Sequence, residues 1–170
     1  MTGTVVVGMD GSADSTAALR WALGYAGAND AVVHVVHVWT PLPWFGELTP
    51  HEQDRLAEDR ARSSEQATAR TAQALRTVDR LPAGVEASVV EGAPGATLVD
   101  LSRDALILVV GATGSGGAET GGSPRVGATA RYVTRHACCP VTVIGHHRHP
   151  HTVDPIRLRT VPIPVPLPVG

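Results

Sequence analysis

Two short stretches of this chain hold residues that can do chemistry together. In the first, Val109-Val110-Gly111-Ala112-Thr113-Gly114, an apolar run ends in glycine; a glycine-rich loop follows, then Gly127-Ala128-Thr129 at the head of a helical pattern. Pliant backbone beside the unpaired amides of a helix start is an arrangement that holds phosphate. In the second, Asp10 closes the β-branched run Thr4 to Met9. A carboxylate at a strand end accepts ribose hydroxyls in nucleotide-binding α/β proteins. The same carboxylate also accepts the amides of Gly11 or Ser12 in a turn that needs no ligand. Gly111 and Gly114 have a similar double reading, since a tight turn asks for glycine with or without a ligand. The site lacks the serine or threonine hydroxyl that would stand at the helix start. Ala128 offers only its amide there, and Thr129 comes one residue late.

Catalytic side chains do not assemble around these residues. His34 and His37 interrupt a valine-rich run and read as core histidines with satisfied rings rather than as general bases. Ser12 lacks the glycine-flanked elbow of a nucleophilic serine, and Cys138-Cys139 have no neighbouring base that would mark a thiolate. Adjacent cysteines make poor staples and poor metal ligands, so both are expected reduced, one buried and the other less so. His136 stands where it can cap the end of its own helix.

The elements that would position these residues alternate in type. Thr4 to Met9, Ala31 to Trp39, Val85 to Val90, Leu106 to Val110 and Val141 to Ile144 read as strands, with Pro140 tolerated at the start of the last. Helical patterns lie between them. One carries Ala17, Ala18, Trp21, Ala22 and Tyr25 and is capped by Asp14 or Ser15. A long surface helix spans about Pro50 to Arg80 with a break near Ser63-Ser64, and a short helix covers Ala96 to Arg103. The last helix runs from about Gly127 to His136. Helical crossovers of these lengths favour a parallel sheet covered on both faces. The expected fold is α/β: one open parallel five-stranded sheet, order 3-2-1-4-5, with pocket residues at the carboxyl ends of strands one and four.

The chain has 170 residues, which suits one domain, residues 1–145, and a tail, residues 146–170. Its 14 basic and 16 acidic residues give a net charge of -2 and no stripe to attract nucleic acid or an anionic membrane. Neither partner is expected. The start of the chain has no secretory pattern and no apolar run has membrane-spanning length, so the expected location is the cytoplasm.

The blocks Val6-Val7-Gly8-Met9-Asp10-Gly11-Ser12, Val36-His37-Val38, Glu91-Gly92-Ala93-Pro94, Val109-Val110-Gly111 and His136-Ala137-Cys138-Cys139-Pro140-Val141 occur in this order. Together they make residues 3 to 145 resemble the universal stress protein family, with its adenine nucleotide alpha hydrolase-like fold. The resemblance implies a stress-response protein that binds ATP, with or without magnesium, and acts through conformation or a protein partner. Rapid catalysis is not implied, although slow ATP hydrolysis is compatible with such a site. Some members of the family lack ATP, so the competing expectation is a nucleotide-free structural or interaction module.

In the ATP-binding members an Asp after strand one contacts the nucleoside and a Val near the end of strand two lies by the base. Gly, two residues, Gly, nine residues, Gly and a hydroxyl residue then surround the phosphates. Asp10, Val38, Gly111 and Gly114 match, and Gly127 matches the next glycine, leaving Ala128 and Thr129 at the helix start. Here twelve residues separate Gly114 from Gly127, and Ala128 stands in the hydroxyl position. Thr120 or Ser123 of the inserted loop could replace the missing donor, and Arg125 could grip phosphate.

The resemblance further implies a homodimer formed by edge pairing through strand five. The tail introduces a competitor. His146-His147-Arg148-His149-Pro150-His151 is a loose imidazole cluster without a metal cage, and Pro162, Pro164, Pro166 and Pro168 alternate with apolar residues. That segment is expected to be extended or disordered. Being proline-rich, it could instead lie across a groove of its own chain or a partner, or cover the strand-five edge.

Overall fold

The computed structural model describes residues 3–41, 48–78, 84–114 and 126–145. The inserted glycine-rich loop and the tail lie outside the described residues, so the expectations for Thr120, Ser123, Arg125 and the His/Pro-rich segment are not addressed by it.

The described elements are β1 (Thr4–Met9), α1 (Ala13–Asn29), β2 (Val32–Trp39), α2 (Pro50–Arg76), β3 (Val85–Glu91), α3 (Pro94–Leu101), β4 (Ile107–Gly111), α4 (Ala128–His136) and β5 (Val141–Ile144). The strands form one parallel sheet in the order β3-β2-β1-β4-β5, the order expected from the sequence. Val5 stands opposite both Val33 and Ile107, which makes β1 the central strand. A strand with neighbours on both edges and helices on both faces must be apolar on both sides. Val5, Val6 and Val7 are accordingly inaccessible to solvent. Full burial of such a side chain stabilises the fold by about 1.5–3 kcal/mol.

Two apolar layers result. On one face Val7, Val35 and Val109 meet Leu19 and Ala22 of α1 and Ala74 of α2. On the other Val36, Leu108 and Val110 meet Leu98 of α3 and Val133 of α4. Among the described residues no helix is long and apolar enough to cross a membrane.

Several local expectations need correction. Ser12, rather than Asp14 or Ser15, caps α1, because its hydroxyl accepts the Ser15 amide at 3.1 Å. Asp14 and Ser15 then fall inside the first turn and are buried. The long helix does not break at its serines. The Ser63 hydroxyl donates to the Asp59 carbonyl at 2.8 Å, a bond made within the helix. Pro94 opens α3, two residues earlier than expected, since its fixed φ suits a first helical turn. Neither cysteine is fully buried: Cys138 is exposed and Cys139 partly so, because only Cys139 turns toward the α4 layer.

Candidate functional site

β1 passes its chain to β2 on one side, and β4 passes its chain to β5 on the other. The connections therefore diverge above the carboxyl ends of β1 and β4 and leave a crevice there. A cavity of about 490 Å³ occupies this place. Met9, Val36, Leu98 and Val110 give it an apolar wall. Asp10, Thr113, Gly114 and the start of α4 supply its polar groups. Its size and mixed lining suit a small organic ligand, for which pockets of about 300–1,000 Å³ are usual.

The first turn after β1 sets the carboxylate. Gly11 has φ 83°, a left-handed conformation that glycine adopts without strain. The turn lets Asp10 Oδ1 accept the Ser12 amide at 2.9 Å. Asp10 thus makes the turn that needs no ligand and still lines the crevice. Ser12 also donates from its hydroxyl to the Thr113 carbonyl at 3.3 Å, which joins the β1 turn to the β4 turn.

The glycines of the second turn are there for different neighbours. A Cβ on Gly111 would come within 2.8 Å of the Ser15 backbone nitrogen and 2.9 Å of the Asp14 carbonyl carbon. Gly111 therefore lets α1 approach β4. A Cβ on Gly114 would instead meet Asp10 Oδ2 at 3.0 Å, so this glycine leaves room beside the carboxylate. Gly127 is the N-cap of α4, and its amide donates to the Ala112 carbonyl at 2.7 Å.

No side chain caps α4 among the described residues. The first amides of a helix have no partner within it, and they carry the positive end of the helix dipole. Ala128 and Thr129 bring those amides to the cavity lining.

Six of the seven residues singled out in the sequence, Asp10, Gly111, Gly114, Gly127, Ala128 and Thr129, line this cavity. Val38 is buried in the α3/α4 layer, and the β2 residue on the lining is Val36. Sequence reasoning missed the Asp14 carboxylate, which accepts from the Thr113 amide and hydroxyl, and it missed Leu98 on the apolar wall. The available signal for Asp14 was an acidic residue in a helix's first turn, which also reads as a cap.

The histidines lie away from the crevice lining. His34 pairs with the Ser88 hydroxyl at 2.8 Å. His37, buried on the α2 side, pairs with the Thr71 hydroxyl at 2.9 Å. Burial pushes the His37 pKa below its ordinary value; Arg70 acts in the same direction, and the negative charge of Asp10 opposes them.

Comparison with known proteins agrees with this architecture. The model of the universal stress protein family matches residues 1–145. Universal stress protein Rv2623 of Mycobacterium tuberculosis is 31% identical over 150 residues, which cover 82% of this chain and 46% of that protein. Universal stress protein Rv2005c of the same organism is 33% identical over 152 residues, covering 82% and 47% respectively. The chain thus spans about half the length of these relatives. Among solved structures, UspA from Lactobacillus plantarum superposes with a TM-score of 0.71 at 25% identity, over 84% of this chain and 97% of that one. A universal stress protein in complex with cAMP gives 0.51 at 26% identity, over 85% and 97%.

Proposed function

The chain belongs to the universal stress protein family, and from that premise we propose that it binds an adenine nucleotide, ATP with magnesium, in the crevice between β1 and β4. The observation that carries this reading is the meeting of Asp10, Gly114 and the uncapped start of α4 around one cavity with an apolar wall. Asp10 takes the ribose hydroxyls. Met9, Val36, Leu98 and Val110 offer the base a dry surface, and Val38 follows Val36 two residues later on the same face of β2. Gly114 and Gly127 let the backbone close on the phosphates, and the amides of Ala128 and Thr129 donate to them. The similar protein whose structure holds cAMP supports an adenine ligand for this architecture.

The proposed action is regulatory. A ligand that binds only the folded arrangement stabilises it by about 2.7 kcal/mol at a concentration a hundred times its dissociation constant. Bridging the β1 turn to α4 would draw on that energy to fix the surface around residues 112–114 for a partner protein.

A nucleotide-free interaction module is the competing reading, and one observation favours it. Asp14 already takes the Thr113 amide and hydroxyl, two donors at the crevice, and Ala128 supplies no hydroxyl in compensation. Calorimetry of the purified chain with magnesium and ATP decides between the two. Saturation near one nucleotide per chain, lost in Asp10→Lys while the variant keeps its wild-type melting behaviour, supports the nucleotide reading. No heat and no co-purified nucleotide would leave the interaction module.

A further inference from the structure

Arg70 of α2 meets the turn that carries Asp10. Ala67, Thr71 and Ala74 form the buried stripe of this helix, and the Thr71 hydroxyl pairs with His37 at 2.9 Å. His37 stands opposite Met9 in the sheet, so this bond sets α2 level with the end of β1. Arg70, one residue before Thr71, falls on the turn beyond Met9. A Cβ on Gly11 would lie 3.7 Å from both Cβ and Cδ of Arg70 and 3.9 Å from its Cγ, so the aliphatic stem rests on the backbone next to Asp10. Arg70 is exposed, which leaves its guanidinium open to a ligand. Arg60 and Arg62 of the same helix pair with Glu91 and Asp59. Arg70 makes no ion pair among the described residues.

The charges of Arg70 and Asp10 act on the same ring. Burial is the largest cause of the low His37 pKa; Asp10 opposes it and Arg70 adds to it, so both charges lie within Coulomb reach of His37. α2 connects β2 to β3 and packs on one face of the sheet, whereas α4 connects β4 to β5 and packs on the other. β1 lies between these two pairs of strands. Asp10, at its end, is thus flanked by Arg70 on one side and by the α4 amides on the other.

A nucleotide with its 5′ phosphates at α4 and its ribose at Asp10 turns the 2′ and 3′ hydroxyl edge toward Arg70. In dinucleotide-binding folds an acidic residue takes the ribose 2′ hydroxyl, whereas an arginine nearby accommodates a 2′ phosphate. This turn presents both groups. Asp10 alone would repel a phosphate on the ribose; Arg70 offsets that charge and offers a fork of donors that fits phosphate.

We infer that the crevice has a second phosphate subsite, at Arg70, and takes, besides ATP, adenine nucleotides phosphorylated on one ribose hydroxyl as well as at the 5′ carbon. The remaining hydroxyl goes to Asp10 and the added phosphate to the Arg70 guanidinium. The inference rests on the nucleotide reading of the crevice and names a further class of nucleotide within it.

Adenosine 3′,5′-bisphosphate, adenosine 2′,5′-bisphosphate and ADP contain the same atoms and differ in where the second phosphate sits. Calorimetric titration of all three, at one magnesium concentration, therefore reads phosphate placement. At least one bisphosphate is expected to bind about tenfold or more tightly than ADP, the scale of one hydrogen bond to a charged group. Arg70→Gln is expected to abolish that advantage, and Arg70→Lys, which keeps the charge without the fork, to retain part of it. Arg62→Gln removes a charge further up the same helix and is expected to keep the wild-type ratio. Thermal melts report that each variant is folded. No bisphosphate advantage in the wild type, an advantage unchanged in Arg70→Gln or an equal drop in Arg62→Gln overturns the Arg70 subsite while ADP still binds. No saturable binding of ATP, ADP or either bisphosphate removes the nucleotide reading and this inference with it.

Discussion

The carboxylate of Asp14 accepts two hydrogen bonds from Thr113, 99 residues further along the chain: one from the backbone amide at 2.9 Å and one from the hydroxyl at 2.6 Å. The pair ties the first turn of α1 to the turn leaving β4, so the two halves of the crevice hold each other in place. Thr113→Val keeps the side-chain shape and the amide but drops the hydroxyl. It is expected to cost up to about 1.5–3 kcal/mol, the usual range for a hydrogen bond to a charged group. Asp14→Ala removes the acceptor of both bonds and should cost more. Urea melts of the two variants check this order; a Thr113→Val midpoint equal to wild type would show that the hydroxyl bond is idle.

Gly111 and Gly114 separate stability from binding. The Gly111 Cβ would strike α1 backbone at 2.8 and 2.9 Å, and backbone cannot rotate aside. Gly111→Ala is therefore expected to destabilise the domain by about 1–3 kcal/mol through overpacking. At Gly114 the near atom is the end of the Asp10 side chain, and the residue is exposed. Gly114→Ala should leave the melting temperature within a degree or two of wild type, a stability change of about 0.5 kcal/mol or less, and act on nucleotide affinity. Thermal melts paired with ATP titration read both effects; equal melting temperatures for the two variants would refute the division.

The sheet order was legible because β1 and β4 are unbroken valine-rich runs separated by helical crossovers of the right length, and handedness leaves few topologies for such a pattern. The capping residue was not legible. Ser12, Asp14 and Ser15 are all capping types, and only the position of the β1 turn selects Ser12. Glycine at position 111 announced a close approach without naming the neighbour, which turned out to be α1. The bond from Asp14 to Thr113 spans most of the domain and leaves no local trace. Val36 and Val38 share one face of β2, so which of them reaches the cavity depends on how far the crevice extends along the strand.

His37 predicts a pH dependence of stability. Thr71 directs its hydroxyl hydrogen to the Ala67 carbonyl at 2.8 Å, so it accepts from His37 Nδ1–H and selects that neutral tautomer. Burial, with Arg70, holds the folded pKa below the ordinary value against the pull of Asp10. The unfolded chain protonates this residue near pH 6.5, and the folded chain only at lower pH. Below about pH 6.5 the unfolded state thus binds more protons, and His37's contribution, complete above that pH, is lost as pH falls toward the folded pKa. His37→Asn keeps a donor near the Nδ1 position and cannot titrate in this range. The stability advantage of wild type over this variant should be larger at pH 7.5 than at pH 5.5 in paired urea melts; a gap independent of pH would remove His37 from the account.

Ala128 offers a gain-of-function test of the nucleotide reading. It is the first residue of α4, exposed to solvent and part of the crevice lining, and it follows the N-cap Gly127. A serine there adds a hydroxyl donor without displacing a buried group, so Ala128→Ser should change stability by no more than about 0.5 kcal/mol. One added hydrogen bond to a phosphate at about 0.5–1.5 kcal/mol corresponds to roughly two- to twelvefold tighter ATP binding. The gain should appear for ATP and be absent for adenosine, which has no phosphate for the hydroxyl to reach. Calorimetric titration of both ligands into both proteins supplies the comparison. An equal gain for adenosine would move Ala128 away from the phosphates, and no gain for either ligand would mean that the α4 start does not face them at all.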